Sequence, residues 1–466
     1  WTVDTEPWRG VAATLELPIH RIRVPSSFEE RGQEEILSPV LDIPAVRQEL
    51  AAYRERWSGA RHVPRSGPDG PGCSVVSVVQ VDHGPALPRV GPIPAAGLLA
   101  GVNLFGPTRS PIGLGAMARG VASAVRSLEL PLAENVTGSD AMDRDLSLDD
   151  FLGRYDHRLA TNLLVTVPHF HERPLGLLSR RVLDGRRNIA YLAWEQRDHH
   201  PDWREVYADF DEIWSLSTFA AASIAQALER PVLTVPCVVD LGQLPSASAK
   251  EAFGLDPSEC HFLYIFDANS SMARKNPEAA IAAFAAAFRR SDAARLLIRV
   301  TSAHRRVHWP KLARLRAAAA ECGARVSFVS GELSRAQILG LLSAVDSYVS
   351  LHRAEGFGYT CAEAMGLRRP VIASRYSGNL DFMDDANSLL VDCREVEVVE
   401  SDGPFVRGSV WAEPSLEHAA AHMRAVFRGE VPDGLVDRAQ QTIHTQLSAA
   451  AIASTIAARI GSGDRS

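Results

Sequence analysis

The chain has 466 residues, of which 46% are hydrophobic and 23% are charged, a balance that is ordinary for globular proteins. A chain of this length has room for two or more large domains. The net charge of −7 gives no general reason to bind nucleic acid, and no apolar run is long enough to predict a membrane-spanning helix.

The six cysteines are scattered along the chain, and no two of them form a Cys-x-x-Cys pair. This spacing argues against a disulfide framework or a zinc site and is typical of proteins from a reducing compartment. Since the sequence also shows no secretory signal, we expect a cytoplasmic protein.

The first part of the chain has an irregular composition in which residues 44–57 alone resemble a helix. Residues 58–94 are rich in proline and glycine, which favours a linker or an irregular cover over regular secondary structure. We therefore predict an N-terminal extension over residues 1–94, and the sequence does not specify its role.

From residue 95 onward, short apolar segments alternate with helical segments. Strands are predicted at residues 101–105, 162–167, 189–194, 212–216 and 232–235, with helices at 116–127 and 220–228 among them. This alternation predicts a parallel β-sheet covered by helices on both faces, and thus an α/β domain over residues 95–240.

The same alternation then starts again. Strands are predicted at residues 262–266, 296–300, 326–329, 347–351 and 371–373, with helices at 277–290 and 311–321. We predict a second α/β domain over residues 241–414, followed by C-terminal residues 415–466 with amphipathic helices at 415–427 and 435–460. Two doubly wound domains in series place a cleft between the carboxyl ends of two sheets, where open α/β folds bind ligands.

A glycine-rich loop of the second domain carries two carboxylates, Glu355 and Glu363, eight positions apart. Gly356 and Gly358 supply backbone N–H groups, and a helix predicted at residues 360–367 follows. A strand, a glycine loop and a helix N-terminus together form a docking place for phosphate. Because a carboxylate beside phosphate is unfavourable, we expect both glutamates to bind hydroxyls. A sugar nucleotide offers both kinds of group.

This loop resembles the E-x7-E signature of retaining glycosyltransferases of family 4, which have the GT-B fold. Two other segments agree with it, and they contain Arg274-Lys275-Asn276-Pro277 and Ser377-Gly378-Asn379. The resemblance implies two Rossmann-like domains that face each other across a cleft, with a C-terminal helix that crosses back onto the first domain. It also implies transfer of a sugar from a nucleoside diphosphate donor to an acceptor hydroxyl, with retention of configuration.

By the same resemblance, Arg274 and Lys275 hold the diphosphate of the donor, and Glu363 binds the ribose hydroxyls. Glu355 is expected near the sugar hydroxyls or the reacting carbon. The other residues expected at the donor are Gly356, Phe357, Gly358, Tyr359, Thr360, Ser377 and Asn379. The second domain would then bind the donor, while the first domain and the N-terminal extension would shape the acceptor site.

Local structural explanations compete with these assignments. Thr360 and Glu363 also fit a capping box, with Thr360 at the N-cap. Asn276 and Pro277 fit the N-cap and first position of the next helix, so the cations before them could be solvated surface groups. Cations at a helix N-terminus oppose its dipole, and a bound anion would reverse that penalty. We therefore favour the anion site.

The first domain offers further candidates. Gly113 and Gly115 follow its first predicted strand and open a helix, as in a phosphate-binding turn, although many ordinary strand–helix turns also use glycine. Similar enzymes often carry a histidine near the transferred sugar, where this chain has Glu195, so Glu195 is a catalytic candidate. His169 and His171, at the end of the preceding strand, are the alternatives.

We expect no metal and no cofactor besides the donor substrate. The group formed by His169, His171, Asp198, His199 and His200 lacks the spacing of a helical metal site. Asp209-Phe210-Asp211 precedes an apolar strand and is interpreted as a helix-to-strand turn. Cations and backbone amides can stabilise a leaving diphosphate, which can itself accept the acceptor's proton, so no dedicated base is required.

Three other functions stay open: a GT-B phosphorylase, a pseudo-glycosyltransferase that couples a cyclitol, and a non-catalytic sugar-nucleotide binding protein. The sequence does not identify the base, the sugar or the oligomeric state. The acceptor is expected to be a saccharide or a natural product, and peripheral contact with a membrane stays open.

Trp411-Ala412-Glu413-Pro414 recurs in similar proteins, but the residues by themselves suggest no role for it.

Overall fold

The computed structural model describes residues 98–110, 112–136, 159–168, 180–199, 203–242, 250–302, 308–329, 331, 333–402 and 404–460. All of them belong to one unit, composed of Gly91–Arg144 and Arg154–Ser466. The predicted extension lies outside the described residues, as do His169, His171 and His200. None of the described helices is long and apolar enough to cross a membrane.

The first domain is built on a six-stranded sheet. Its strands are β1 (Leu99–Gly106), β2 (Leu132–Val136), β3 (Leu159–Thr166), β4 (Arg187–Leu192), β5 (Glu212–Ser215) and β6 (Leu233–Thr234). They lie in the order β2-β1-β3-β4-β5-β6, and all pairs are parallel. A strand covered on both faces needs a continuous apolar run, and Leu163, Leu164 and Val165 of β3 are all buried.

The described helices of this domain are α1 (Gly113–Ser127), α2 (Arg180–Leu183), α3 (Trp203–Val206) and α4 (Thr218–Leu228). Ser217 caps α4, because its side chain accepts a hydrogen bond from the backbone N–H of Ala220 at 3.2 Å. The turn predicted at Asp209-Phe210-Asp211 is confirmed between α3 and β5. There Asp211 Oδ2 accepts from the backbone N–H of Asn188 at 2.6 Å.

The second domain repeats this architecture. Its parallel strands are β7 (Cys260–Asp267), β8 (Ala294–Thr301), β9 (Val326–Val329), β10 (Ser347–Ser350), β11 (Val371–Ser374) and β12 (Leu389–Val391). Its helices are α5 (Met272–Lys275), α6 (Pro277–Ala287), α7 (Trp309–Glu321), α8 (Arg335–Ala344) and α9 (Tyr359–Gly366). The strand order is β12-β11-β10-β7-β8-β9. The chain adds strands outward in one direction from β7 and in the opposite direction from β10, and we call the position between these two strands the strand reversal, although all strands are parallel. Ligands of open α/β sheets bind at such a reversal.

An antiparallel hairpin follows the second sheet and consists of β13 (Cys393–Glu397) and β14 (Val410–Pro414). The chain ends in α10 (Leu416–Phe427), α11 (Leu435–Gln446) and α12 (Ala449–Ile460). Helix α12 packs against α1 of the first domain, so the predicted crossing back is confirmed.

One long helix was expected over residues 435–460, and this prediction was wrong. The chain turns between α11 and α12, where the carbonyl of Leu447 accepts from the backbone N–H of Val239 at 2.8 Å. Val239 lies in the segment between β6 and β7, so this hydrogen bond fixes the turn between the two helices against the chain that joins the two domains. The two Rossmann-like α/β domains are confirmed, while the domain limits at residues 95, 241 and 415 stay predictions.

Candidate active site

The strand reversal of the second sheet brings three charged residues together. Arg274 and Lys275 lie on α5, which follows β7, and Glu355 lies on the loop after β10. Lys275 Nζ pairs with Glu355 Oε1, and Arg274 NH1 lies 3.3 Å from Glu355 Oε2. Arg274 NH1 also donates to the carbonyl of Ala354 at 2.8 Å. The two motifs, 80 residues apart in the chain, therefore form one cluster.

Glu355 is ionised in this cluster. Burial by itself would raise the pKa of Glu355, but the charges of Lys275 and Arg274 outweigh it and hold the pKa at about 2. Arg274 is also buried, and its Nε has no hydrogen-bond partner among the described residues. A buried donor without an acceptor is costly and is an available contact for an anion.

The backbone turns sharply between the two cations and the next helix. Ser271 caps α5 by accepting from the backbone N–H of Arg274 at 3.1 Å, and Asn276 follows with φ of 55°. Helix α6 begins at Pro277, as predicted, but the side chain of Asn276 makes no capping hydrogen bond. Its Nδ2 lies instead 3.5 Å from Glu413 Oε1. Asn276 therefore takes the predicted N-cap position, but its side chain makes its contact with Glu413 and not with the helix.

Glu195 of the first domain joins the cluster from the opposite side of the cleft. Its Oε1 lies 3.8 Å from Arg274 NH2. The loop that carries Glu355 passes directly against this segment, because a Cβ at Gly356 would lie 2.7 Å from the carbonyl oxygen of Trp194. Glycine is thus required for the close approach of the two domains at this point.

Glu363 does not take part in a capping box. Helix α9 begins at Tyr359 with Gly358 at the N-cap, and that helix has no side-chain cap. Thr360 Oγ1 instead accepts from the hydroxyl of Tyr348 at 2.6 Å. The capping-box alternative was therefore wrong, since the helix starts earlier than expected and Gly358, at φ of 95°, takes the N-cap position.

Glu363 is 3% exposed, and the two oxygens of its carboxylate have different surroundings. Its Oε1 lies 2.6 Å from Arg335 NH1, while Oε2 is buried and has no hydrogen-bond partner in the described part of the chain. Burial raises the pKa of Glu363, and Arg335 opposes that shift. Arg335 carries no motif that could have identified it from the sequence.

Several predicted donor residues support the loop from within the protein. Phe357 is buried, with its ring 5.1 Å from that of Tyr359 and 5.0 Å from that of Phe382. Asn379 is also buried and donates to the carbonyl of Ser374 at 3.0 Å, while its Oδ1 lies 3.1 Å from His352 Nε2. These side chains are used in packing and hydrogen bonds, so contacts of their backbone with the donor stay predictions.

Ser377 fixes the loop that carries Glu355. Its Oγ accepts from the backbone N–H of Glu355 at 2.8 Å and donates to the carbonyl of Tyr376. The φ of Ser377 is 77°, a conformation that residues with a side chain rarely adopt and that is concentrated at functional sites. A Cβ at the next residue, Gly378, would lie 1.9 Å from the carbonyl oxygen of Gly356.

The Trp411-Ala412-Glu413-Pro414 motif forms β14 and supports α5. Glu413 Oε2 accepts from Arg353 Nε at 2.6 Å, and Arg353 NH1 donates to the carbonyl of Ala273 at 2.6 Å. The Arg353 guanidinium also lies 5.4 Å from the centre of the Trp411 ring. The sequence identified the motif without a role, and the role depends on Arg353, which no pattern distinguished.

The loop between β13 and β14 closes one side of the cluster. The Arg274 guanidinium lies 5.6 Å from the centre of the Phe405 ring, and that ring stacks on Trp194 of the first domain at 6.4 Å. Asp198 Oδ2 accepts from the backbone N–H of Val410 at 2.9 Å. Asp198 is therefore used in a contact between the domains. The described residues contain no group of three or more His, Cys, Asp or Glu that could hold a metal ion.

The glycine turn of the first domain opens α1. A Cβ at Gly115 would lie 2.1 Å from the carbonyl oxygen of Ser110, so that position requires glycine, whereas Gly113 has open space around it. Arg119 fixes the turn by donating from NH1 to the carbonyls of Ser110 and Thr108, the latter at 2.9 Å. The close approach of Ser110 explains why position 115 is a glycine. A contact between this turn and a phosphate of the donor stays a prediction.

Comparisons with known proteins agree with this architecture. Residues 264–401 match the family model of the glycosyl transferases group 1. A comparison with curated proteins gave no match. Among solved structures, the chain is similar to HepE of Anabaena in complex with UDP and glucose, with a TM-score of 0.55 and 14% identity over 77% of this chain and 99% of that one.

Two further structures have the same fold. A sucrose-phosphate synthase from Thermosynechococcus elongatus gives a TM-score of 0.58 and 17% identity over 77% of this chain and 98% of that one. A glycosyltransferase from Rickettsia africae gives 0.55 and 11% over 78% and 97%. The chain therefore has the GT-B fold, and residues 264–401 of its second domain match the group 1 glycosyl transferases.

Proposed function

We propose that the protein is a retaining, metal-independent glycosyltransferase that moves a sugar from a nucleoside diphosphate donor to an acceptor hydroxyl. The observation that carries this proposal is the cluster of Arg274, Lys275 and Glu355 at the strand reversal of the second sheet, with the unpartnered oxygen of Glu363 on the following helix. Cations suit the diphosphate, and buried carboxylate oxygens suit hydroxyls.

The hard step in such a reaction is departure of the diphosphate as positive charge develops on the sugar. Arg274, Lys275 and the amides at the start of α9 can stabilise the leaving oxygens without a metal. The bond from the sugar carbon to the phosphate oxygen breaks, and a bond to the acceptor oxygen forms on the same face. The acceptor proton passes to the leaving phosphate, so the charge and the atoms balance.

Glu355 acts in this proposal as a carboxylate and not as an acid. With a pKa of about 2 it has no proton to give at neutral pH. It can accept from a sugar hydroxyl and stabilise the positive charge that develops on the sugar. Glu195, on the opposite side of the cleft, is the first-domain residue that we assign to the same region, in the role that similar enzymes give to a histidine.

The donor class is inferred from the site and supported by the neighbours. Structures of HepE contain UDP with glucose and UDP alone, which makes UDP-sugars the first donors to test. The five described cysteines are free, in agreement with the cytoplasmic location that we propose. The acceptor class, a saccharide or a natural product, is proposed from the sequence resemblance.

The experiment is a thermal-shift screen with UDP, GDP, ADP and dTDP, followed by the sugar nucleotides of the base that binds. The anomeric configuration of the product is then assigned by NMR, with and without EDTA. We expect retained configuration and activity in EDTA. An inverted product, a requirement for inorganic phosphate, or binding without turnover would each contradict the proposal.

A further inference from the structure

Glu363 and Arg335 form an ion pair that the E-x7-E signature does not include. Arg335 is the first residue of α8, and its NH1 lies 2.6 Å from Glu363 Oε1. Oε2 of the same carboxylate is buried and has no hydrogen-bond partner among the described residues. One oxygen is thus bound to a cation, and the other is an acceptor that lacks a donor.

Arg335 is held in place although its side chain is 51% exposed. Its NH2 donates at 3.1 Å to the carbonyl of Asp240, in the segment between β6 and β7 that joins the two domains. Because a guanidinium is rigid and planar, contacts at two of its nitrogens fix its orientation. The free oxygen of Glu363 is therefore the one available to a ligand.

We propose that Arg335 is a positioning residue of the donor site. Arg335 binds one oxygen of Glu363 and keeps the carboxylate ionised, so that the other oxygen accepts from a ribose hydroxyl. This inference rests on the proposed function and extends the donor site beyond the two motif segments. A ribose hydroxyl would supply the donor that the buried oxygen lacks.

The charges around Glu363 explain why it needs this partner. Burial raises the pKa of Glu363, and Arg335 opposes the shift. Tyr359 and Cys361, on the same helix, also interact with Glu363 and are neutral at pH 7, because burial raises the pKa of the Cys361 thiol to about 12 and the pKa of Tyr359 well above its usual range. Arg119 of the first domain interacts electrostatically with Arg335 and Tyr359.

The other elements that pack against α9 do not replace this charge. Helix α11 and strands β10 and β11 contact α9, and within the described chain they bring no charged group that acts on Glu363. Among the described residues, Arg335 is therefore the cation that favours the ionised form of Glu363.

Removal of the Arg335 charge should have opposite effects on binding and on stability as the pH falls. The pKa of Glu363 would rise further, so the carboxylate would take up a proton at a higher pH and stop accepting from a ribose hydroxyl. Below that pKa the affinity falls by up to about tenfold per pH unit. The same proton relieves a buried, unpaired charge, so the variant regains stability relative to wild type.

The test is the substitution Arg335→Gln. Arg335 lies at a helix N-terminus, where loss of a cation does not oppose folding. The Kd for UDP is measured by calorimetry from about pH 8 to about pH 5.5, together with the Tm of the nucleotide-free protein. The phosphates of UDP titrate alike in both proteins, so the ratio of variant to wild-type Kd reports on Glu363. We expect this ratio to grow about tenfold on acidification while the Tm deficit of the variant shrinks.

Three control variants separate this role from a general structural one. Arg335→Lys keeps a cation and should restore most of the affinity. The double variant Arg335→Gln/Glu363→Gln lacks the titrating group, so the ratio of its Kd for UDP to the wild-type Kd should no longer depend on pH. Arg368→Gln breaks an exposed pair with Asp437 from an arginine of similar exposure, 45%, and should match wild type in both measurements.

A Kd ratio that does not change with pH overturns the proposal. Tighter UDP binding by Arg335→Gln also overturns it, because Arg335 would then block the site. If the wild type binds none of UDP, GDP, ADP and dTDP, the proposed function fails instead. In that case the Tm comparison still decides whether Arg335 keeps Glu363 ionised.

Discussion

Arg353 joins Glu413 of the hairpin to the helix that carries the cationic pair, with 2.6 Å from its Nε to Glu413 Oε2 and 2.6 Å from its NH1 to the carbonyl of Ala273. Its backbone N–H donates to the carbonyl of Arg274 at 2.8 Å, and its own carbonyl accepts from the backbone N–H of Ala412 at 3.0 Å. The position of Arg274 therefore depends on a hairpin that lies more than 100 residues later in the chain.

Glu413→Gln should lower kcat by about tenfold to a hundredfold, because small displacements of catalytic groups are costly. Glu395→Gln is the control, since Glu395 lies on the same hairpin in an exposed pair with Arg197. Steady-state kinetics and Tm are measured for both variants. A lower Tm with unchanged kcat would assign Glu413 to the stability of the hairpin alone.

Glu355→Gln should reduce turnover by about 10²–10³, as expected for loss of one electrostatic contact to the transition state. UDP affinity should stay equal or increase, because Lys275 and Arg274 lose the carboxylate that competes with the diphosphate. Turnover is measured in single-turnover assays and affinity by calorimetry. Unchanged sugar transfer would remove Glu355 from the active site.

The pH dependence of stability should also reflect Glu355. Its folded pKa of about 2 lies below the usual glutamate value of 4.5, so its stabilising contribution is present above about pH 4.5 and is lost as the pH falls toward 2. Denaturant unfolding between these pH values should show a shallower loss of stability in Glu355→Gln than in wild type. Parallel curves would mean that the pair with Lys275 and Arg274 contributes nothing to folding.

Lys275→Ala should lower kcat/KM by about 10²–10³, comparable to loss of one oxyanion-type donor, and Arg274→Ala should act similarly. Lys250→Ala is a matched control, because Lys250 pairs with Asp346 and is 20% exposed, against 19% for Lys275. EDTA should leave wild-type activity nearly intact. Activity that is lost in EDTA and returns with Mg²⁺ or Mn²⁺ would contradict a leaving-group account based on these two cations.

Glu363→Gln should weaken binding of the nucleotide by about 1–3 kcal/mol, the cost of a lost hydrogen bond to a charged group. Its Tm at neutral pH should not fall, because burial raises the pKa of Glu363 and the helix loses no cap with it. Calorimetric titration with UDP and a melting curve test both parts. Early melting with normal binding would show that the residue is structural.

The sequence by itself determined the architecture of both domains and the segments that carry the site. Each strand of these parallel sheets is covered on two faces, so each appears as an apolar run such as Phe262–Phe266, and the helices between them follow their own period. The carboxylates eight residues apart and the Arg-Lys pair are likewise local features of the chain. The sequence did not determine where α9 begins, because both Gly358 and Thr360 can occupy the N-cap position, and the structure places Gly358 there.

Only the tertiary structure decided which charges meet. Glu355 finds Lys275 because β10 lies beside β7 in the sheet, and the strand order is a property of the whole domain. Glu195 and Phe405 reach Arg274 from another domain and from a hairpin loop. Arg335 reaches Glu363 from a different helix. Ion pairs act through space, so distances fixed by packing set their strength, and no spacing along the chain encodes them.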